Sequence, residues 1–260
     1  MTTCCPGAGG WGPFDMLGTY HVPALRGARR FVRAPRALTL AAAPAPQIRD
    51  GGSYLITGGF GGIGLSIARR LVAEGARHIV LVSRGALPAR DTWDRYCKSH
   101  GPQDATARRI EAVLALEAQG AEVLLAEADV SNLQQMQAVA ADARARFGAL
   151  HGVIHAAGVV DDAPLLTKTQ IGIENVLTPK IHGTKVLAEV FPDGTLDWLV
   201  LFSSSSTVTA PAGQVDYVAA NEYLNAFAQA RRDGKTRVLA LNWGIWSEVG
   251  MAAQAVGERT

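Results

Sequence analysis

A glycine-rich turn near residue 60 lies between a strand pattern and a helix pattern. Residues 54–57 are apolar and suit a buried strand, while residues 63–74 carry apolar side chains at helical spacing. Between them, Gly58, Gly62 and Gly64 follow the pattern T-G-x-x-x-G-x-G. Such a turn lets a pyrophosphate approach the backbone at the start of a helix. Glycines alone would also fit a tight turn without a ligand, but the strand–turn–helix context favours a dinucleotide site.

Strand and helix patterns alternate through the rest of the chain. Further strands are predicted at 78–83, 121–126, 152–157, 198–203 and 237–243, and helices at 105–119, 133–147, 173–190 and 217–231. Residues 85–103 form an irregular insert with a helical turn at 91–96. Alternation predicts βαβ units, and near-continuous apolar strands are typical of a parallel sheet covered on both faces. The predicted fold is an α/β, doubly wound, Rossmann-like parallel sheet.

Residues 1–50 differ in composition from the rest. Residues 1–18 are rich in glycine and small side chains, and residues 37–46 form an Ala/Pro run that is typical of a linker. Residues 20–34 could hold one or two short strands. We therefore predict a small N-terminal piece with a linker at 1–50 and an α/β domain at 51–260.

Composition limits the partners and the compartment. A net charge of +2 over 260 residues gives no reason to expect nucleic acid. The three cysteines, Cys4, Cys5 and Cys97, do not form a disulfide framework, which favours a reducing compartment. The sequence has neither a membrane-length apolar run nor a signal-peptide layout. We expect a cytoplasmic protein with neither a membrane nor a nucleic-acid partner.

The residue that ends the second strand of the domain indicates which cofactor binds. Ser83 and Arg84 stand there, and a guanidinium matches a ribose 2′-phosphate where a carboxylate would hold the free hydroxyl. This favours NADPH, with a solvent-facing arginine as the alternative. Asp129, after the third strand, could accept from the adenine amino group or could cap the following helix.

A tyrosine and an asparagine share one helical face near residue 220. Tyr217 and Asn221 are four apart, so both can point toward one pocket, and Ser203-Ser204 ends the strand before them. Hydroxyl groups arriving from both elements would give a carbonyl oxygen two donors, which suggests ketone reduction. His151 and His155 are also four apart, but on a strand that spacing does not give shared metal-ligand geometry, so we interpret both as structural.

Seven motifs in order resemble the short-chain dehydrogenase/reductase superfamily, and within it the ketoreductase domains of modular and iterative polyketide synthases. The resemblance covers roughly residues 50–253. It rests on residues 54–64, 81–84, 128–130, 152–159, 201–204, 217–221 and 242–246. Residues 25–32 also resemble the tail of the structural subdomain that precedes such ketoreductases, so residues 1–50 are expected to be a remnant of it.

The resemblance implies a role for each catalytic residue. Tyr217 would donate the proton to the ketone oxygen, and Ser204 would hydrogen-bond that oxygen. Many members of the superfamily have a lysine where this chain has Asn221, and this subfamily takes its lysine from the preceding long helix, where Lys180 fits. A nearby ammonium favours a phenolate.

The resemblance also implies a set of cofactor-binding residues for NADPH and no metal. Lys168 and Lys185 do not fit the motif and are predicted to be surface residues. The implied cofactor-binding residues are Thr57, Gly58, Gly59, Phe60, Gly61, Gly62, Ile63, Ser83, Arg84, Asp129, Val130, His155, Ala156, Ala157, Gly158, Gly244 and Ile245.

The activity implied by the resemblance is NADPH-dependent reduction of a β-ketoacyl thioester, carried on an acyl carrier protein, to the β-hydroxyacyl thioester. The partners would be the carrier-bound substrate and other synthase domains of a parent chain. One alternative is a free-standing 3-oxoacyl or carbonyl reductase, which the arrangement of Lys180 and Asn221 argues against. The other is a catalytically silent scaffold fragment, which the presence of all four catalytic residues argues against.

The product configuration is predicted by resemblance as well. Val160-Asp161-Asp162 is similar to the Leu-Asp-Asp motif of ketoreductases that form the D-alcohol, and Thr209 stands where the opposite class has a tryptophan. Polar loop residues without such a role are the alternative. The chain ends at Thr260, so by the same resemblance we expect the C-terminal lid helix and the last strand to be missing.

Overall fold

The computed structural model describes residues 23–32, 39 and 48–246. The chain divides into two compact units, Met1–Pro46 and Gln47–Thr260. In the first unit, β1 (Pro23–Arg26) and β2 (Arg29–Val32) pair antiparallel, as the strand prediction for residues 20–34 allowed. The glycine-rich segment at 1–18, the linker at 37–46 and the chain end after 246 lie outside the described residues. The assignment of residues 1–50 to a structural subdomain stays a prediction.

Six parallel strands form the sheet of the second unit, and they confirm the predicted fold class. Their order across the sheet is β5-β4-β3-β6-β7-β8. The strands are β3 (Ser53–Thr57), β4 (His78–Ser83), β5 (Glu122–Glu127), β6 (Gly152–His155), β7 (Trp198–Ser204) and β8 (Arg237–Trp243).

Helices connect the strands. They are α1 (Gly62–Ala73), α2 (Trp93–His100), α3 (Ala105–Ala118), α4 (Leu133–Phe147), α5 (Gln170–Val190), the single turn α6 (Ser206–Thr209) and α7 (Val215–Ala230). Side chains of Asp104, Asn132 and Thr169 cap α3, α4 and α5 by accepting backbone N–H groups. None of the helices in the described part of the chain has the length and apolar content needed to cross a bilayer.

The sheet is covered on both faces, as its continuous apolar strands predict. Alternate residues of β3 point to opposite cores: Tyr54 and Ile56 pack in one cluster, and Leu55 packs in the other. The first cluster includes Ile110 of α3, and the second includes Met136 of α4. The edge strands β5 and β8 are more exposed than the central strands, because each lacks a neighbour on one side.

Several predicted boundaries were wrong. Strand β6 ends at His155 rather than at 157: Ala156 N still donates to Thr57 O, but Ala157 N donates to the Thr57 side chain, at 3.4 Å from Oγ1, instead of to a strand backbone. Helix α5 begins at Gln170 rather than at 173, since the Thr169 cap starts it before the apolar pattern begins. The insert forms the full helix α2 rather than one turn, and it is held by a buried Trp93.

The strand order reverses at the centre of the sheet. Thr57, at the end of β3, lies in register with His155, at the end of β6, and the chain crosses to opposite sides of the sheet from this pair of strands. Ligands of open α/β sheets bind in the crevice at the carboxyl ends of the strands at such a point. The topology therefore places the candidate site beside Thr57.

Candidate active site

A cleft of about 570 Å³ lies at the carboxyl ends of the central strands. Its wall combines the glycine-rich turn, the ends of β4 and β5, and the segment after β6. Most of the predicted cofactor-binding residues line it: Thr57, Gly58, Phe60, Gly61, Gly62, Ile63, Ser83, Arg84, Asp129, Val130, Ala156, Ala157 and Gly158. A cleft of this size and position suits an elongated dinucleotide.

The glycine-rich turn is packed too tightly for side chains. Gly58 has a φ of +67°, and a Cβ there would lie 2.9 Å from the Ala156 backbone. A Cβ on Gly64 would lie 2.5 Å from the carbonyl oxygen of Gly58. At the start of α1, Gly61 provides no side-chain cap and the first turn holds no acidic residue. Gly59 N and Gly61 N are already bonded, to Val82 O and Gly58 O, so the N–H groups at the start of α1 are the ones available to an anion, which fits a pyrophosphate.

Two arginines and an aspartate line the cleft near the ends of β4 and β5. Arg84 is exposed at the end of β4, and Arg109 reaches the cleft from α3 with its guanidinium 5.9 Å from the Phe60 ring. Burial raises the pKa of Asp129, but hydrogen bonds from Ser131 and the charge of Arg84 outweigh this and leave its pKa lowered. Asn132 caps α4, so the alternative role of Asp129 as that cap was wrong.

Four predicted cofactor-binding residues are not among those lining the cleft within the described ranges. Gly59 packs against Leu81, so a Cβ there would lie 3.0 Å from that residue. Gly244 and Ile245 follow β8, and Ile245 is 84% exposed. His155 is fully buried and bonds Thr57 through Nδ1 at 2.7 Å, which fits the structural role predicted for it.

Lys180 is buried behind Gly158 of the cleft wall and is not itself among the residues that line the cleft. Its Nζ donates to the carbonyl oxygen of Phe202 at 2.7 Å and lies 6.0 Å from the centroid of the Tyr217 ring. Burial lowers the pKa of Lys180 to about 8. A Cβ on Gly158, which lines the cleft, would lie 3.4 Å from this Nζ. The ammonium group is thus held between the cleft and the tyrosine ring.

His155 is kept neutral beside that ammonium. Burial is the main cause that lowers the pKa of His155 to about 3, and the charge of Lys180 adds to it. Its Nε2 faces the backbone carbonyls of Pro179 and Lys180 but makes no hydrogen bond of normal geometry with either. A neutral imidazole avoids charge repulsion with Lys180 at neutral pH.

Asn221 supports the backbone of the helix that carries Tyr217. The side-chain Nδ2 of Asn221 donates to the backbone carbonyl of Tyr217 at 2.8 Å, and the backbone carbonyl of Asn221 accepts from Ser203 Oγ at 3.2 Å. The Asn221 side chain is fully buried, whereas Tyr217 is partly exposed. Although the two residues share a helical face, only the tyrosine reaches the accessible side.

Ser204 belongs to a chain of hydrogen bonds that leads to the loop after β6. Its Oγ donates to Ser206 Oγ at 3.0 Å, Ser206 donates to Gln214 Oε1 at 3.0 Å, and Gln214 Nε2 donates to Asp162 Oδ2 at 2.8 Å. The Ser204 hydroxyl must rotate away from Ser206 before it can donate to a bound ketone. Asp162 is therefore linked to Ser204 by hydrogen bonds through Gln214 and Ser206.

Lys168 is not the surface residue that its sequence context predicted. Its side chain is only 2% exposed and lies 2.7 Å from Asp216 Oδ2, while Lys185 is exposed as predicted. Lys168 and Arg109 were missed as neighbours of the site because neither belongs to a recognisable motif. Asp216 stands directly before Tyr217, but one acidic residue in a first helical turn is too common to indicate a partner.

A family model identifies the chain. The model of the KR domain matches residues 52–248. The chain belongs to the KR domain family. Over 207 residues, which are 79% of the chain, this KR domain is 42% identical to 6-methylsalicylic acid synthase of Aspergillus terreus. Over 211 residues, which are 80% of the chain, it is 39% identical to a phenolphthiocerol/phthiocerol polyketide synthase subunit of Mycobacterium tuberculosis. Each match covers 11% of the relative's length.

Solved ketoreductases share the fold. A structure described as A-type ketoreductases from a modular polyketide synthase matches with a TM-score of 0.73 at 34% identity, covering 91% of this chain and 47% of that one. A ketoreductase domain from the bacillaene assembly line matches with a TM-score of 0.68 at 34% identity, covering 80% of this chain and 47% of that one. These matches confirm the predicted resemblance to polyketide synthase ketoreductases. The KR domain is accordingly an oxidoreductase with a nicotinamide cofactor site.

Proposed function

We propose that this KR domain uses NADPH to reduce a β-ketoacyl thioester, carried on an acyl carrier protein, to the β-hydroxyacyl thioester during polyketide assembly. The single observation that carries the proposal is the buried Lys180, whose ammonium lies beside the Tyr217 ring and next to Gly158 of the cleft wall. Burying a cation costs free energy, so its presence beside the tyrosine ring points to a function.

Tyr217, Ser204 and Lys180 each have a separate role in the proposed reduction. The Tyr217 hydroxyl donates a proton to the ketone oxygen, and Ser204 stabilises the negative charge that develops on it. Lys180 favours the phenolate that proton donation leaves behind, because an opposite charge stabilises an anion. Bound NADPH would supply the hydride. Two donors and a nearby cation thus act where charge forms in the transition state.

Arg84 supports the choice of NADPH over NADH. It is exposed at the edge of the cleft, directly after β4, where the ribose of a dinucleotide lies in this fold. Arg109 adds a second guanidinium to the same cleft. Planar guanidinium groups bind phosphate oxygens in pairs, which an uncharged 2′-hydroxyl cannot match.

Replacing Arg84 with alanine is expected to weaken NADPH binding by about 10- to 100-fold, the loss of one charged hydrogen-bonding group. NADH binding should change by less than about threefold. Fluorescence titration of both cofactors measures the two constants. Arg77→Ala is the matched control, since Arg77 is exposed at the opposite end of β4. Equal losses for both cofactors in Arg84→Ala would show that Arg84 does not read the 2′-phosphate.

The proposed reaction is tested by NADPH oxidation with a diffusible β-ketoacyl thioester. The expected result is turnover that depends on Tyr217 and yields the D-alcohol, identified by chiral chromatography. The D-configuration follows from the resemblance of Val160–Asp162 to the Leu-Asp-Asp motif, and the bond from Gln214 to Asp162 places this segment beside the start of α7. NADPH binding without turnover of any such thioester would contradict the proposal.

Partners and location belong to the same proposal. The curated relatives are many times longer than this chain, and both of those described above are named as synthases. We therefore infer that the KR domain works beside other synthase domains and an acyl carrier protein. Few cysteines and no disulfide framework support a cytoplasmic location.

A further inference from the structure

Lys168 and Asp216 form a buried ion pair that the proposed reaction does not use. The Lys168 Nζ lies 2.7 Å from Asp216 Oδ2, and each side chain is 2% exposed. The other ion pairs between described residues that the structure shows are exposed on at least one side, with side-chain exposures of 22% or more. Burying two charges is costly, and replacing such a pair with apolar side chains is often neutral or stabilising. Its presence therefore calls for a role other than stability.

The pair joins two segments that both border the active site. Lys168 directly precedes the α5 cap Thr169, and its ammonium also donates to the carbonyl oxygen of Asp161. Asp216 lies in the first turn of α7, and its Oδ1 accepts the backbone N–H of Tyr217 at 2.9 Å. One carboxylate thus holds both Lys168 and the backbone of the catalytic tyrosine.

Other contacts fix the same two segments to each other. Ala163 N donates to Gly213 O at 3.1 Å, and Gln214 Nε2 donates to Asp162 Oδ2 at 2.8 Å. Among these links, only the ion pair reaches the residue next to Tyr217. Because an error of about 1 Å in the placement of a reacting group can cost about 10²-fold in rate, this link bears directly on catalysis.

We propose that Lys168 and Asp216 are positioning residues, which set the backbone of Tyr217 against the 160–163 loop and so fix both the rate and the face of ketone reduction. The inference rests on the proposed reductase function. The pair does not contact the reacting atoms; it acts through the Tyr217 backbone and the Asp161 carbonyl.

The test is the double variant Lys168→Met/Asp216→Leu, which removes both charges and leaves no unpaired one. We expect a melting temperature within about 5 °C of the parent and an NADPH Kd within about twofold, because the fold and the cleft are unaffected. The kcat for a β-ketoacyl thioester should fall about 10- to 100-fold, and the share of the minor alcohol epimer should rise. A merely structural pair would change neither kcat nor epimer ratio at unchanged melting temperature, and that result would overturn the proposal.

A matched control pair is available far along the chain from Tyr217. Arg90 and Glu117 form an ion pair between the insert and α3 with side-chain exposures of 57% and 22%. Arg90→Met/Glu117→Leu should leave kcat, epimer ratio and cofactor binding unchanged. If it lowers kcat as much as the Lys168/Asp216 variant does, the effect is not specific to positioning and the proposal fails.

Kinetics and amide exchange of the single variant Asp216→Asn provide two further tests. If the double variant does not fold, Asp216→Asn removes the charge and keeps an acceptor for the Tyr217 N–H; unchanged kcat and epimer ratio in this variant would overturn the proposal. If the parent protein reduces no thioester, the proposed function fails, but amide exchange needs no substrate. Asp216→Asn, which loses the charge that pairs with Lys168, should then speed exchange across residues 161–168, and equal exchange rates would contradict the positioning role.

Discussion

Replacing Tyr217 with phenylalanine is expected to lower kcat for ketone reduction by about 10²- to 10⁴-fold, the usual contribution of a general acid. The change removes one hydroxyl and keeps the ring that lies 6.0 Å from Lys180 Nζ. The Kd for NADPH should therefore stay within about twofold of the parent value. Single-turnover measurement of NADPH absorbance gives the rate, and fluorescence titration gives the Kd.

The control for this variant lies on the same helix. Tyr223, also on α7, is partly buried and packs against Phe227 with ring centroids 6.3 Å apart. Tyr223→Phe removes the same atom six residues away and should keep full activity. Equal turnover by Tyr217→Phe and the parent protein would remove the tyrosine from the mechanism, whereas no turnover by either protein would leave a scaffold function as the better explanation.

Replacing Lys180 with methionine is expected to lower kcat by about 10²-fold or more and to stabilise the folded protein at pH 7. Burial lowers the pKa of Lys180 from 10.5 to about 8. At about 1.36 kcal/mol for each tenfold change in proton affinity, this corresponds to roughly 3 kcal/mol that the folded protein loses by holding the charge. Loss of the bond to Phe202 O offsets part of it, so a net gain of roughly 1–3 kcal/mol is expected.

The pH dependence of stability identifies the cause of this gain. Between pH 8 and pH 10.5 the unfolded chain binds a proton at Lys180 that the folded protein has released, so stability of the parent protein rises with pH across this range. Lys180→Met lacks that titration. Its advantage in free energy of unfolding should be full below pH 8 and should fade as the pH approaches 10.5. Urea denaturation at pH 7 and near pH 10 measures both values.

Lys185→Met is the matched control, because Lys185 lies on α5 five residues later and is exposed. It should change neither kcat nor the free energy of unfolding by more than about 0.5 kcal/mol. If Lys180→Met instead destabilises the protein at pH 7, the ammonium contributes net stability, and catalysis is not needed to explain why it is retained.

Most of the cofactor cleft could be predicted from local sequence. The run from Thr57 to Gly64 contains its own strand end, turn and helix start, so the geometry follows from a few adjacent residues. The tight contacts at Gly58 and Gly64 show why the turn requires glycine. Arg109 was missed because it comes from the middle of α3, where one arginine on a helix carries no signal of the cleft.

The proposed catalytic residues were harder to predict from residue spacing alone. Tyr217 and Asn221 share a helical face, but Asn221 is buried and bonded to the Tyr217 carbonyl rather than exposed beside the phenol. Lys180 was placed by resemblance, since nothing in its own helix distinguishes it from Lys185. Its burial follows from how α5 packs against α7 and the end of β7, where Phe202 O accepts its hydrogen bond.

Local patterns in the sequence were enough to predict the parallel sheet, the order of strands and helices along the chain and the glycine turn, because these depend on periodicity and on neighbours within a few residues. Tertiary packing was needed to show that Lys168 pairs with Asp216, 48 residues away, and that Ser204 connects to Asp162 through two intervening side chains. Residues so distant in sequence meet because the parallel strands bring the loops at their carboxyl ends together at one edge of the sheet. That edge holds the residues on which the rate and the stereochemistry of this KR domain are proposed to depend.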